Sequence, residues 1–406
     1  MRPPSLRPLL IAAAAAALVA TAAGLTYSAF SSTTSNPPSS FGAASTFCTR
    51  TSAVWLTGFE SGAVSSAGGG LFTTLTGAPT ADGATLRNGA YSLRIADAAA
   101  GSTVGALKTF TAANVVVARF AIRLSALPSV SSSLVYVDSG TDLVFGYDQP
   151  SQKFSLTLGS STATSASTVS AGAWYVIDLR YDLRANPNLG DWRVDGVAQT
   201  QVTRAAAAST ANGFGLGATT NPSIYTANFD DLLVANQAKA YPIGNGKVVR
   251  LIPDGVGTHT TPGDFRDDDN TAVDAASWQR IDDVPVTGTT DYVLQLNNSA
   301  TSYLEFSFGN TAETCIREVS AVVAYRSATT TANTGKTSIF AGATESVVFS
   351  GDMSETTLTY ASALVTPAAA PWTQAAVNGL VTRIGYAGDA NPDPYWDGLM
   401  LELAVP

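Results

Sequence analysis

WYVIDLRYDLRANPNLGDWRVDGV, residues 174–197, is the segment that decides the predicted fold. In its first half, apolar and charged side chains alternate strictly, with Tyr175, Ile177, Leu179 and Tyr181 on one side and Asp178, Arg180 and Asp182 on the other. This period predicts a strand with one buried and one solvated face. The polar loop 184–190 and the turn-forming pair Asp195-Gly196 after Trp192 indicate antiparallel strands joined by turns.

Similar strand patterns extend in both directions from this segment. Apolar residues make up 45% of the 406-residue chain and charged residues only 13%, a composition that suits many short strands. Strands are predicted at 71–75, 91–95, 115–124, 134–137, 143–147, 154–158, 213–217 and 229–234. We therefore expect a two-sheet β-sandwich over residues 51–236.

A second β-sandwich is expected over residues 247–406. The Pro- and Gly-containing segment 237–246 predicts a linker between the two domains. The second domain has one convincing helical stretch, WTQAAVNGL at 372–380, which follows Pro371 and is expected to be a short crossover helix. The predicted fold class is all-β, with two sandwich domains.

The N-terminus has the pattern of a targeting segment. Arg2 and Arg7 precede an apolar run at 9–25, and Tyr27-Ser28-Ala29 matches an A-x-A-like cleavage site. We predict a signal peptide over 1–29, with a membrane anchor as the alternative, and a flexible Ser/Thr/Pro-rich lead-in over 30–50. The mature protein is expected to be secreted and extracellular, at the cell surface, with no membrane association after cleavage.

The residues around the cleavage site have a more specific resemblance. GLTYSAFSS, residues 24–32, resembles the signal segment of the TasA and camelysin group of bacterial biofilm-fibre proteins, in which a dedicated peptidase cuts just before an aromatic residue. That resemblance implies an export route and cleavage before Phe30.

The formal net charge of −9 argues against nucleic acid as a partner, because phosphate would be repelled.

Four motifs of the first domain resemble a known fold. GFESG at 58–62, NGAYSLRI at 88–95, the 174–197 segment and FDDL at 229–232 together resemble the concanavalin A-like, laminin-G-like jelly roll, over residues 54–236. The resemblance implies lectin-like binding of glycan or of a surface protein. Residues 241–406 resemble the C-terminal sandwich of tail-associated proteins of bacterial viruses, through WQRIDDVP at 278–285, DYV at 291–293 and the short helix.

Common catalytic patterns are missing from the sequence. The single histidine, His259, has no nucleophile motif beside it, and there is no G-x-S-x-G. One histidine and two distant cysteines do not make a zinc site. The E-x-D-x-x-E pattern of jelly-roll glucanases is also missing, and Glu60 is the only glutamate between Cys48 and Ala240. We therefore expect that the chain is not an enzyme.

Two groups of carboxylates are candidates for Ca²⁺, which prefers hard oxygen ligands. The jelly-roll resemblance implies that the first and last strands lie side by side, which brings Glu60 close to Asp230 and Asp231 as a structural calcium site. A solvated edge with a turn-capping carboxylate is the alternative. The second group lies in a loop that is either solvated or a weak calcium site, and it comprises Asp264, Asp267, Asp268, Asp269, Asn270 and Asp274.

Candidate ligand-binding residues follow from the lectin-like resemblance, since such sandwiches stack aromatic rings on sugars and bind hydroxyl groups with Asp or Asn. They are Tyr136, Asp138, Asp142, Tyr147, Asp148 and Trp192.

Cys48 and Cys315 either form a disulfide, which export permits, or are separate buried thiols.

The function predicted from these residues is that of a secreted, non-catalytic cell-surface or matrix protein that binds glycan or a surface partner through its jelly roll. The alternative is a structural or assembly subunit, such as a biofilm or phage-tail-like component, that forms a homo-oligomer. A third reading is a degenerate glucanase-like enzyme.

Overall fold

The computed structural model describes residue 48 and the ranges 51–67, 70–97, 103–139, 142–217, 224–258, 264–286, 290–296, 302–330, 334–353, 355–386 and 393–406. The predicted signal peptide, almost all of the lead-in and His259 lie outside these ranges. In the described ranges, no helix is long and apolar enough to cross a bilayer.

In the described ranges, the first sandwich has sixteen strands: β1 (Ala53–Thr57), β2 (Thr74–Thr76), β3 (Thr80–Asp82), β4 (Ser92–Asp97), β5 (Gly105–Ala113), β6 (Val115–Leu124), β7 (Ser132–Asp138), β8 (Leu143–Asp148), β9 (Lys153–Leu158), β10 (Ser161–Thr168), β11 (Trp174–Asp182), β12 (Asn188–Val194), β13 (Val197–Ala198), β14 (Val202–Arg204), β15 (Ala211–Gly217) and β16 (Tyr225–Ala235). One sheet has the order β13-β12-β11-β6-β16-β4-β3, with β1 paired to β16 and β14 to β12. The other sheet is seven-stranded in the described ranges and has the order β10-β9-β8-β7-β15-β5-β2. The predicted two-sheet jelly roll is therefore confirmed.

Aromatic side chains fill the space between these two sheets. The ring of Phe120 lies 5.6 Å from that of Phe145, 6.1 Å from that of Phe214 and 6.2 Å from that of Phe229. All four side chains are fully buried. Because they come from both sheets, burial of the same apolar surface holds the sheets together.

Among the residues that the structure describes, the second sandwich has eleven strands: β17 (Lys247–Leu251), β18 (Pro253–Val256), β19 (Phe265–Asp267), β20 (Val293–Gln295), β21 (Tyr303–Phe308), β22 (Glu318–Ser327), β23 (Thr334–Ala341), β24 (Thr344–Asp352), β25 (Thr359–Leu364), β26 (Leu380–Tyr386) and β27 (Pro394–Val405). One sheet has the order β19-β20-β27-β22-β25, with β17 on β27, and the other β18-β21-β26-β23-β24. The predicted helix is α1 (Gln374–Asn378), which Thr373 caps by accepting a hydrogen bond from the Ala376 N–H. The all-β, two-sandwich fold class is confirmed, whereas the exact domain boundaries stay predictions.

Two glutamates of the second sandwich accept hydrogen bonds from the first strand of the jelly roll. Glu318 Oε1 accepts from the Ala53 N–H at 3.1 Å and from the Thr51 hydroxyl at 3.2 Å. Glu402 Oε1 accepts from the N–H groups of Gly58 at 3.0 Å and Glu60 at 3.1 Å, and from the Thr57 hydroxyl at 3.3 Å. Both carboxyl groups are buried. The sandwiches are therefore joined by polar contacts whose loss would leave buried donors unpaired.

An apolar cluster and a disulfide complete this junction. Buried side chains from both sandwiches and from the predicted linker pack together, among them Leu56, Val117, Ile243, Val248 and Ala404. Of the two possibilities for the cysteines, the structure contains the disulfide Cys48–Cys315, with the Cα atoms 5.1 Å apart.

The segment that decided the fold needs one correction. β11 and β12 pair antiparallel as expected, and Asp195 and Gly196 both have positive φ in the turn that follows. The charged side of β11 is not solvated throughout, however: Asp178 is only 1% exposed. Its Oδ1 accepts from the N–H groups of Ile243 and Gly244, both at 3.0 Å, because the segment after the jelly roll returns across this face.

Truncation of Glu402 should destabilise the whole unit. Glu402→Ala leaves two backbone N–H groups and one hydroxyl without their acceptor, at a cost of roughly 3 kcal/mol in free energy of unfolding. Urea denaturation measures this loss. Glu313→Ala is the matched control, because Glu313 forms a half-exposed ion pair with Lys247 at 3.0 Å and should change stability by less than about 1 kcal/mol. Equal effects of the two substitutions would contradict this account of the junction.

The second sandwich should become less stable as the pH rises. Burial raises the pKa of Asp397 to about 7, and its ion pair with Arg326 at 2.9 Å only partly opposes this. Since the carboxyl of an unfolded chain has a pKa of about 4, the folded state binds the proton more tightly, and this contribution is lost between about pH 4 and pH 7. We expect Asp397→Asn to flatten the fall of unfolding free energy between about pH 4 and pH 7. An unchanged slope would contradict the assignment.

Candidate functional site

The six predicted ligand-binding residues do not lie on one surface. Trp192 is 1% exposed in the core, and its Nε1 donates to the Thr200 carbonyl at 2.9 Å. Tyr147 is also a core residue. Asp148, the last residue of β8, accepts from the Ser131 hydroxyl at 3.3 Å and from Ser151 in the turn that follows. On β8 and β12 these two aromatic rings occupy inward positions, which the alternation of the strands determines.

The other three predicted residues come together at one end of β7, with Tyr136 and Asp138 on the outer face of the seven-stranded sheet and Asp142 in the adjoining turn. Tyr136 and Asp138 lie on β7, and Asp142 lies just before β8, the next strand in the sheet. Asp142 Oδ1 accepts from the Ser139 N–H at 3.2 Å. Burial raises the pKa of Tyr136, and the negative charges of Asp138 and Asp142 raise it further. Burial also raises the pKa of Asp142, opposed by the Ser139 hydrogen bond. The three side chains are therefore close enough to interact electrostatically.

A glycine determines the position of the Tyr136 ring. Gly215 on β15 is the register partner of Tyr136, and a Cβ atom added there would overlap with the tyrosine ring. The ring thus occupies the space above the glycine and remains half-buried at the surface. Gly213, one outward position further along, lies in the same way against the Asp138 side chain. β15 is thus the second strand of the site. The alternation GFG at 213–215 predicts a strand there, but the contact of its glycines with Tyr136 and Asp138 was not predicted.

The predicted calcium residues lie near the junction of the two sandwiches. β1 pairs with β16, as the predicted neighbourhood of the first and last strands requires. Asp231 Oδ2 accepts from Arg87 and from Asn88 Nδ2, and its Oδ1 accepts from the Val248 N–H at 2.6 Å. Asp230 accepts from three backbone N–H groups, those of Arg87, Asn88 and Asp231. Both aspartates therefore already have internal partners.

Glu60 differs from the two aspartates because one of its oxygens has no partner. The side chain is 1% exposed, and Oε2 accepts from the Ala90 N–H at 2.8 Å while Oε1 has no hydrogen bond. Burial raises the pKa of Glu60 to about 8, with further increases from Glu402 and Asp230. Glu402 Oε2 is also buried without a partner. Sequence reasoning missed Glu402 because it lies 342 residues away from Glu60.

A cavity of about 370 Å³ borders this carboxylate. Its walls are formed by Glu60, Asn88, Gly89, Ala90, Lys247, Val248, Val249 and Arg250. Among the described residues, no group of three or more His, Cys, Asp or Glu side chains is arranged to hold a metal ion. The calcium site predicted at Glu60, Asp230 and Asp231 stays a prediction.

The second acidic group is organised by an arginine. Arg280 lies 3.1 Å from Asp268, 3.7 Å from Asp269 and 3.4 Å from Asp291. Asp267 accepts from the Ser277 hydroxyl at 2.9 Å, and Asp264 from that of Ser302. Internal donors thus bind much of the negative charge of this loop.

No protein-family model matches the chain, and no curated protein does. Solved structures similar to it include the cellulose induced protein Cip1, at 16% identity over 45% of this chain and 97% of that one, with a TM-score of 0.36. They also include the alginate lyase Aly36B, at 10% identity over 46% and 97% with a TM-score of 0.35, and a sialidase, at 13% identity over 47% and 19% with a TM-score of 0.34. The chain thus spans about a fifth of that sialidase. Likeness at these identities concerns the β-sandwich fold alone.

One prediction is corrected by this comparison. The chain was expected not to be an enzyme, yet the similar structures include an alginate lyase and sialidases. The missing E-x-D-x-x-E pattern excludes one arrangement of catalytic carboxylates, that of the jelly-roll glucanases. It does not exclude other kinds of catalytic site. A non-catalytic role is therefore not retained.

Calcium at Glu60 remains a prediction with a direct test. Adding Ca²⁺ to EDTA-treated protein should raise the melting temperature, because a ligand that binds only the folded state stabilises it by about 2.7 kcal/mol at 100 times its Kd. Glu60→Gln should abolish the rise, and Glu345→Gln, which lies outside both candidate groups in an ion pair with Lys336 at 2.6 Å, should not. Absence of both binding heat and a melting shift in the unaltered protein would contradict the prediction.

Proposed function

We propose that the protein binds carbohydrate on the outer face of the seven-stranded sheet of its jelly roll. The observation that supports this most is the ring of Tyr136, which covers Gly215 and stays half-buried at the surface. An aromatic ring held in place by the sheet offers a broad apolar surface against which the C–H groups of a sugar can pack. The hydroxyl end of the ring lies over Gly215.

Two carboxylates supply the polar half of the proposed site. Asp138 lies two residues after Tyr136 on the same strand and therefore on the same face. Asp142 belongs to the adjoining turn and keeps its Oδ1 near the Ser139 N–H. Carboxylate oxygens accept hydrogen bonds from pairs of sugar hydroxyls, and an aromatic surface with a few oriented polar groups is the usual composition of a ligand site.

We further propose that the protein works outside the cytoplasm. The basic residues, apolar run and cleavage pattern of the N-terminus favour export. The disulfide Cys48–Cys315 supports the same conclusion, since such bonds persist in oxidising compartments. The alternatives of a surface-protein partner and of a self-assembling subunit stay predictions.

Substitution of the ring tests the proposal. Tyr136→Ala should weaken binding to glycans at least about tenfold, which corresponds to roughly 1.4 kcal/mol, whereas Tyr136→Phe should keep most of the affinity because the ring remains. Calorimetric titration with a panel of oligosaccharides gives the dissociation constants. Tyr175→Ala is the matched control: it removes a half-buried tyrosine from the opposite sheet and should leave binding unchanged.

The proposal is wrong if no glycan in the panel binds, or if Tyr136→Ala binds as tightly as the unaltered protein. Thermal melting of each variant distinguishes loss of the site from loss of the fold. The same titrations, followed for new chain ends, show whether bound glycan is also cleaved.

A further inference from the structure

The following inference rests on the proposed function and concerns the class of glycan. We infer that the site takes an uncharged, linear glycan that lies across the strands of the seven-stranded sheet and contacts all of them. The register of the sheet, the chemistry of one cross-strand row and the charges beside it lead to this inference.

One continuous row of side chains crosses the outer face. Its members are successive register partners on seven neighbouring strands: Thr162, Thr157, Val144, Tyr136, Gly215, Leu107 and Thr74. Six spacings between strands give the row a length of about 29 Å. Tyr136 lies at its centre, so the proposed sugar platform has three further strands on each side.

The row is without charge from end to end. Three threonines, a valine and a leucine surround the tyrosine, and the hydroxyls of Thr157 and Thr162 lie 3.0 Å apart. Neutral hydroxyls and short apolar groups match the alternating O–H and C–H surfaces of an uncharged sugar chain. A polyuronate would need cationic partners, which Arg and Lys side chains provide.

The charges beside the row also disfavour an acidic glycan. Asp138 and Asp142 flank Tyr136 on one side, and both would repel a carboxylate on a sugar. Lys153, on the outer face of β9, lies four residues before Thr157 in the chain and is the register partner of Asp148, so it has a carboxylate opposite to it.

Small side chains leave the row accessible along its length. Thr162 and Thr74 at the two ends are exposed, and Thr157, Val144 and Leu107 are half-buried. The neighbouring row is equally small, with Thr164, Ser155, Gly146 and Ser133 as partners. An open strip of this length predicts affinity that grows with the length of the glycan, unlike a pocket for a chain end.

The experiment compares length and charge in one series of titrations of the full chain. The probes are neutral di- and hexasaccharides of β-linked glucose, xylose and mannose, and an acidic hexasaccharide of galacturonate, at low salt. We expect one neutral hexasaccharide to bind at least about tenfold more tightly than its disaccharide, and at least about tenfold more tightly than the acidic hexasaccharide.

Variants away from Tyr136 locate the effect on the row. Leu107→Ala and Thr157→Ala, on either side of the tyrosine, should each weaken binding of the hexasaccharide several-fold and leave the disaccharide unchanged. Thr203→Ala is the matched control, because Thr203 is an exposed threonine on β14 of the opposite sheet. Melting curves confirm that all three variants are folded.

The outcomes separate the inference from the proposed function. If the acidic hexasaccharide binds more tightly, or if di- and hexasaccharides bind equally, and Tyr136→Ala still removes binding, the inference is wrong and the proposed function stands. If neither class binds, both are wrong. Length-dependent binding of neutral glycan that Leu107→Ala and Thr157→Ala weaken supports both.

Discussion

The hydrogen bonds from the first strand of the jelly roll to Glu318 and Glu402 are the constraint on which the rest of the structure depends. β1 lies on β16, which is bonded to β6 and β4, so whatever holds β1 also holds the centre of the nine-stranded sheet. Both acceptors come from the second sandwich, and both are buried. A buried carboxylate is costly unless several donors surround it, which favours docking of the two sandwiches in one arrangement.

The same constraint explains why the junction is polar as well as apolar. Asp178 and Asp231 of the jelly roll accept hydrogen bonds from the N–H groups of Ile243, Gly244 and Val248, so the first sandwich fixes both the linker and the first strand of the second sandwich, β17. Between these contacts lies a cluster of aliphatic side chains from both domains. The apolar cluster supplies burial, and the directional bonds determine the register of the contact.

Local pattern gave most of the fold and only part of the site. Strand positions followed from alternation, and the neighbourhood of Glu60 with Asp230 followed from the order of strands in a jelly roll. Tyr136, Asp138 and Asp142 meet because β7 and β8 are consecutive and adjacent, which sequence reasoning handles well. Trp192 is a core residue because its strand position faces inward, a fact that the aromatic character of the residue did not reveal. Asp178 and Glu402 were beyond prediction, because their burial depends on residues far away in the chain.

Gly215 also has a consequence for how this surface can change. The Tyr136 ring occupies the space that a side chain at 215 would fill. The height of the ring above the sheet therefore depends on the absence of a Cβ atom at Gly215. An alanine there would have to displace the ring while altering none of the groups on the row. A single methyl group at position 215 would therefore change the shape of this surface without changing the chemical groups that it presents.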